Sequence, residues 1–329
     1  MILSLAFIEV YPQSSSNDLP EDSKNFSALT GLEGIDGPVL AVKIDDTASA
    51  HPQVGIASAD VVYIEQVEGG LTRLAAIFSS KVPDLVGPVR SARISDIELL
   101  SQYGKVGLVY SGAQKLMYPV INAANLFDVG ANRLGPSIYF NDPDRNPPYA
   151  MMARLPELFK EIRERNYSLV QGKNMGWNFG EEQEGLIPIL SSEVSWPAAK
   201  YSIKWSTEEK RWLLFHNGRP NLDSNGFHLG AGTFLIQKVS ITDSIYKDKV
   251  GGVTPFSATV GEGECFLLRD GGYLPCNWSR PTDESGTSFT DKQGRAIFFA
   301  PGQIWFALTD REPVFAYPPA QDAPQSTKK

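Results

Sequence analysis

"ADVVYIEQVEGGLTRLAAIFSS", residues Ala59–Ser80, decides how the rest of the chain is read. Two apolar runs rich in β-branched residues flank Glu68-Gly69-Gly70. That pattern predicts two strands joined by a glycine turn. Just before it, "GPVLAVKIDD" (Gly37–Asp46) reads as a further buried strand ending in two carboxylates. Just after it, "VPDLVGPV" is a turn punctuated by proline and glycine. From Ile94 the apolar spacing becomes helical, through Ile97, Leu99, Leu100 and Tyr103. Ser95 followed by Glu98 fits a capping box at that helix start. "GKVGLVYSGA" is another strand, and "AQKLMYPVINAANLF" reads as a helix interrupted at Pro119. "LPELFKEIRERNY" (Leu155–Tyr167) is an amphipathic helix. Strands and helices alternate, which predicts a mixed α/β sandwich over residues 31–170.

After about Gly172 the character changes. "AKYSIKW", "KRWLLFHNG", "GTFLIQKVSIT" and "GQIWFALTD" are short strands at turn-bounded spacing. Residues 171–315 therefore read as a β-rich C-terminal domain, and the fold class is α+β. Residues 1–30 read as a flexible segment. Its start, "MILSLAFIEV", fits either the end of a truncated signal or anchor, or a short buried piece. Residues 316–329, rich in Pro, Gln and Lys, read as a disordered tail.

The chain of 329 residues is 42% hydrophobic and carries a formal net charge of -8. An acidic chain lacks the basic footprint of general nucleic-acid binding. It has no apolar run of about 20 residues, so no membrane span is expected. Positive charge that matters must then be local. In "GPVRSAR" (Gly87–Arg93), Arg90 and Arg93 stand at a helix start, where cations are unfavourable without compensation. Arg73 follows the glycine turn. Three guanidiniums converging at one sheet end would suit phosphate or carboxylate groups. Lys115, at a strand-to-helix junction, and Arg145, in the rigid loop "YFNDPDRNPPY", are further candidates. Internal pairing with Asp45, Asp46, Glu65 or Glu68 is the competing reading. Those four carboxylates also suit magnesium or calcium, or a general base. His51 precedes Pro52 near the carboxylates, while His216 and His228 read as ordinary residues of the β region. No P-loop, nucleophile elbow or dinucleotide fingerprint occurs.

Cys265 and Cys276 flank "FLLRDGGYLP". A two-residue Asp270-Gly271 turn would set Cys265 opposite Cys276, within reach of a cross-strand disulfide. Such a bond implies an oxidising compartment. Two free thiols are the alternative.

Lys43–Phe78, "VGPVRSAR", "DPDRNPPY", "GGYLPCNWSRP" and "TSFTDKQGRAIFFAPGQIWFAL" together resemble the YerB-like bacterial envelope proteins, a family of unknown function. The resemblance spans roughly residues 30–310. It implies two domains and an extracytoplasmic location, membrane-anchored or secreted. The chain departs from the pattern in having no cysteine near its start to carry a lipid. It also has Tyr149-Ala150 where relatives carry a His-Asn pair. The expected function is therefore an envelope protein that binds an anionic, phosphate-bearing ligand through its arginines. The alternatives are a transferase or hydrolase acting on lipid-linked wall glycan, and a module that only binds an envelope protein partner.

Overall fold

The computed structural model describes residues 25–319. In chain order its main elements begin with β1 (Leu40–Asp45), β2 (Val61–Gln66), β3 (Thr72–Phe78) and α1 (Ile94–Ser101). Next come β4 (Val106–Val109), α2 (Met117–Ala123), β5 (Leu126–Asp128) and α3 (Leu155–Glu164). The second half supplies β6 (Ser191–Trp196), β7 (Ala199–Ser206), β8 (Arg211–His216) and β9 (Thr233–Lys238). It continues with β10 (Ile241–Lys247), β11 (Val253–Ser257), β12 (Gly261–Arg269), β13 (Gly272–Arg280), β14 (Ser288–Asp291), β15 (Ile304–Thr309) and β16 (Val314–Ala316). Strand accounts for 43% of the described residues and helix for 12%, so the fold is β-rich α+β.

Among the described residues, eleven strands form one sheet. Its central order is β13-β12-β9-β15-β2-β3-β1-β4-β5. The sheet crosses the boundary between the two sequence halves. β15, from the end of the chain, lies parallel to β2, with Val61 beside Ile304 and Ile64 beside Ala307. β2 and β3 are antiparallel around the Glu68–Gly70 turn. Both are buried almost throughout, which is why their sequences read as continuous apolar runs rather than alternating ones.

Each face of this sheet has its own core. Ala41, Tyr63 and Ala75 pack with Leu99 and Leu100 of α1, with Tyr103 just after it and with Ile121 of α2. On the opposite face Val42, Ile44, Ile64 and Leu74 meet Tyr201, Ile203, Trp212 and Leu214 of a second sheet. That sheet contains β8, β7, β6 and β16 in order. The Trp196 indole donates to the Leu308 carbonyl at 2.8 Å and ties the sheets together.

Several local expectations change. Pro119 does not interrupt α2. It sits in the first turn, where a backbone N–H has no intrahelical partner to lose. Ser95 and Glu98 do not form a capping box. The α1 cap comes from Asp96, whose carboxylate accepts the Arg93 N–H at 2.6 Å. Ser95 Oγ instead accepts from Ser257 N, and Glu98 accepts from the backbone N–H groups of Thr259 and Val260. Tertiary partners outbid the local cap. The segment expected to be flexible up to residue 30 is ordered from at least Ser27, whose hydroxyl donates to Asp36, and Leu29 is fully buried. Residues 1–24 of that segment lie outside the described residues. At the other end, Ala316 belongs to β16, and the Tyr317 hydroxyl lies 3.2 Å from that of Tyr273. The rest of the expected tail, from 320, lies outside the described residues.

Asp270 and Gly271 both have positive φ, 48° and 73°, as a two-residue type I′ turn requires. Cys265 therefore faces Cys276, and the two form a disulfide. Replacing both by serine should lower the free energy of unfolding by about 2–4 kcal/mol, as for a short closed loop. Urea denaturation of the double variant against the wild type measures this.

Candidate functional site

Adjacent strand residues point to opposite faces. Asp45 and Asp46, neighbours in sequence, are thus sent to different places. Asp45 pairs in register with Arg73 of β3, and Glu65 of β2 pairs with the same Arg73 from the other side. These three face α1. Asp46 faces the second sheet.

On the α1 side the chain after the Gly87–Pro88 turn returns beside β1. The Arg90 N–H donates to the Lys43 carbonyl at 2.8 Å. This brings Arg90 and Arg93 next to Arg73. The three border a cleft of about 460 Å³, which is also lined by Tyr149, Tyr246, Lys249 and Thr254.

Two of the arginines have carboxylate partners. Arg90 Nε lies 2.7 Å from Asp45 Oδ2. The other Asp45 oxygen accepts from the Thr47 backbone and hydroxyl. Arg93 donates to Glu68 Oε2 through Nε at 2.9 Å and through a terminal nitrogen at 2.8 Å. The Thr254 hydroxyl donates to the other Glu68 oxygen. Burial pushes the Glu68 carboxyl up, but the Arg93 guanidinium outweighs it and holds the pKa below the ordinary value.

Arg73 differs. It is 8% exposed, and among the described residues it has no carboxylate at ion-pair distance. One guanidinium nitrogen donates to the Ser91 carbonyl at 3.1 Å. Burial first, then repulsion by Arg93 and Arg90, pulls its pKa down to about 9. A buried cation held among cations is costly unless something compensates it.

The remaining expected site residues lie elsewhere. Glu65 is fully buried beneath α1, 2.9 Å from Lys43 Nζ, and Lys43 also forms an ion pair with Asp96 at 2.6 Å. Lys115 is exposed and does not line the cleft. Arg145 does not line it either. It donates to the carbonyls of Ala50 and Pro52 and pairs with Asp142 at 3.2 Å, bracing the loop before β2. Of the four carboxylates considered as magnesium or calcium ligands, Asp45 and Glu68 line the arginine cleft, each paired with an arginine, Glu65 is buried with Lys43, and Asp46 lies on the opposite face. Lys249, Tyr246 and Thr254 were missed because they arrive on the β10–β11 hairpin from the other half of the chain. "KDKVGG" announces a turn, but nothing in it announces a destination.

Two family models match this chain. Residues 29–168 match the N-terminal domain, and residues 192–306 the C-terminal domain, of a protein of unknown function, DUF3048. The chain belongs to the DUF3048 family. Among curated proteins it is similar to "Putative lipoprotein YerB" of Bacillus subtilis (strain 168), 27% identical over 177 residues. That match covers 52% of this chain and 53% of the relative, so the chain spans about half the length of the curated relative it matches. Among solved structures, that of the YerB protein from Bacillus subtilis aligns with a TM-score of 0.74 at 20% identity. It covers 88% of this chain and 100% of the other, and shows that the two share a fold. Among the described residues no helix is long and apolar enough to cross a membrane.

Glu65 makes a pH prediction. Burial raises its pKa from 4.5 to about 7, against the opposing pull of Lys43. The folded chain thus holds this proton more tightly than the unfolded chain, and stability is lost as pH rises through that window. Relative to Glu65→Gln, the wild type should lose stability as pH rises from 4.5 to about 7, with a flat difference above it. Unfolding free energies of the two proteins across this range test the sign.

Proposed function

We propose that this protein is an extracytoplasmic envelope protein that captures a phosphate-bearing ligand in the cleft bordered by Arg73, Arg90 and Arg93. Arg73 carries the reading. Among the described residues its buried charge lacks a carboxylate at ion-pair distance, and the neighbouring guanidiniums raise its energy. An entering anion would relieve both costs, and guanidinium forks suit phosphate oxygens. Lys249 supplies a further cation from the hairpin, and the Tyr149 ring, 5.9 Å from the Arg90 guanidinium carbon, supplies a flat wall. The N-terminal domain, residues 31–170, carries the arginines, and the C-terminal domain, residues 171–315, supplies the hairpin.

The compartment rests on two supports. A relative is named as a lipoprotein, and the Cys265–Cys276 disulfide suits an oxidising environment. Binding is favoured over catalysis for a specific reason. Asp45 and Glu68, the carboxylates nearest the arginines, have both oxygens engaged and are poor general bases.

Titration calorimetry with inorganic pyrophosphate tests the reading. Wild type should bind, more weakly as salt rises. Arg73→Met should abolish binding while leaving the melting temperature unchanged or higher, because it removes a repelled buried charge. No heat from the wild type, or equal affinity in Arg73→Met, overturns the reading.

A further inference from the structure

A second polar cluster lies on the opposite face of the main sheet and takes no part in the arginine cleft. Asp46 is fully buried there. His51 Nε2 stands 3.4 Å from Asp46 Oδ1, and His216 Nε2 stands 3.7 Å from Asp46 Oδ2. One ligand atom from each residue falls within 4.8 Å of the others. The sequence has three histidines, and two of them meet here from opposite halves of the chain. His51 comes from the loop after β1. His216 ends β8, next to the Asn217-Gly218 turn, where both residues have positive φ.

We propose that Asp46, His51 and His216 form a binding site for a divalent transition-metal ion of the zinc type. Two imidazoles and a carboxylate are borderline ligands, suited to zinc, cobalt or nickel rather than magnesium. A tetrahedral ion with ligands at about 2.0–2.1 Å sets those ligands about 3.3–3.4 Å apart. The His51–Asp46 distance matches that edge, and the His216 distance, to the other carboxylate oxygen, exceeds it by about 0.3 Å. The two rings are stacked, 4.7 Å between centroids and 12° between planes. Binding requires them to rotate so that both lone pairs meet at one point.

The surroundings supply what a ligating carboxylate needs. The Tyr201 hydroxyl donates to Asp46 Oδ1 at 2.7 Å, and the Thr72 hydroxyl donates to Oδ2 at 2.5 Å. Such outer partners orient metal ligands. Asn221 is fully buried beside them, and no hydrogen bond of ordinary geometry satisfies either of its amide atoms. Gln53 Oε1 is likewise unpaired. Buried polar atoms without partners call for an explanation, and a bound ion with its water supplies one. Three protein ligands leave a fourth position. His51 and His216 line a cleft of about 600 Å³ together with Arg219, Asp223 and Ser224, so a water or small ligand can reach that position. The third histidine is elsewhere, its Nε2 2.8 Å from the Leu214 carbonyl.

The full chain, treated with chelator and dialysed, is titrated with zinc chloride. One ion should bind per chain, and zinc should raise the melting temperature. His51→Ala and His216→Ala should each weaken binding by more than the roughly 100-fold that loss of an outer partner costs. His228→Ala should bind as wild type does. Cobalt(II) added to the wild type should give the intense visible absorption of a four- or five-coordinate ion, a readout that needs no variant. Absence of one-to-one binding, a six-coordinate cobalt spectrum, or wild-type affinity in both histidine variants overturns the site. None of these outcomes depends on whether pyrophosphate binds in the arginine cleft.

Discussion

The parallel pairing of β2 with β15 is the constraint on which the rest depends. It places a strand from the end of the chain against one from its first quarter, and so joins the two halves into one sheet. With β2 hydrogen-bonded on both edges and covered on both faces, its register cannot slip without turning an apolar row into the wrong core. That register sets Arg73 between Asp45 and Glu65, and everything on the α1 face follows. The same pairing brings Trp196 of the second sheet against β15 and closes the other face.

The pleat then separates charged groups that are contiguous in sequence. Asp45 and Asp46 are adjacent in sequence and belong to polar clusters on opposite faces of one sheet. The α1 face gathers cations, and two of the three arginines find carboxylates. The second-sheet face gathers two histidines around an aspartate held by Tyr201 and Thr72. Burial makes each arrangement costly if left incomplete, because polar groups withdrawn from water need partners.

The strands around the Glu68–Gly70 turn, the helix after Arg93 and the Asp270-Gly271 hairpin were legible because each rests on local chemistry. Apolar periodicity, glycine tolerance of positive φ and β-branched stiffness act within a few residues. The convergence of Arg73 with Arg90 and Arg93 was also legible, because a short connection carries the chain from β3 back beside β1. Lys115 and Arg145 had similar local contexts but point elsewhere, one to solvent and the other to the backbone of the His51 loop.

The sequence by itself determined the element types, the turns, the opposition of the two cysteines and the acidic balance that leaves positive charge local. These follow from interactions between near neighbours. Only the tertiary structure decided that Ser95 and Glu98 serve the β-rich half rather than a helix cap. It alone decided that the β10–β11 hairpin reaches the arginines, and that His51 and His216 stack above Asp46. Such contacts join residues far apart in the chain. They depend on which buried surfaces find each other, and no short-range preference records that choice.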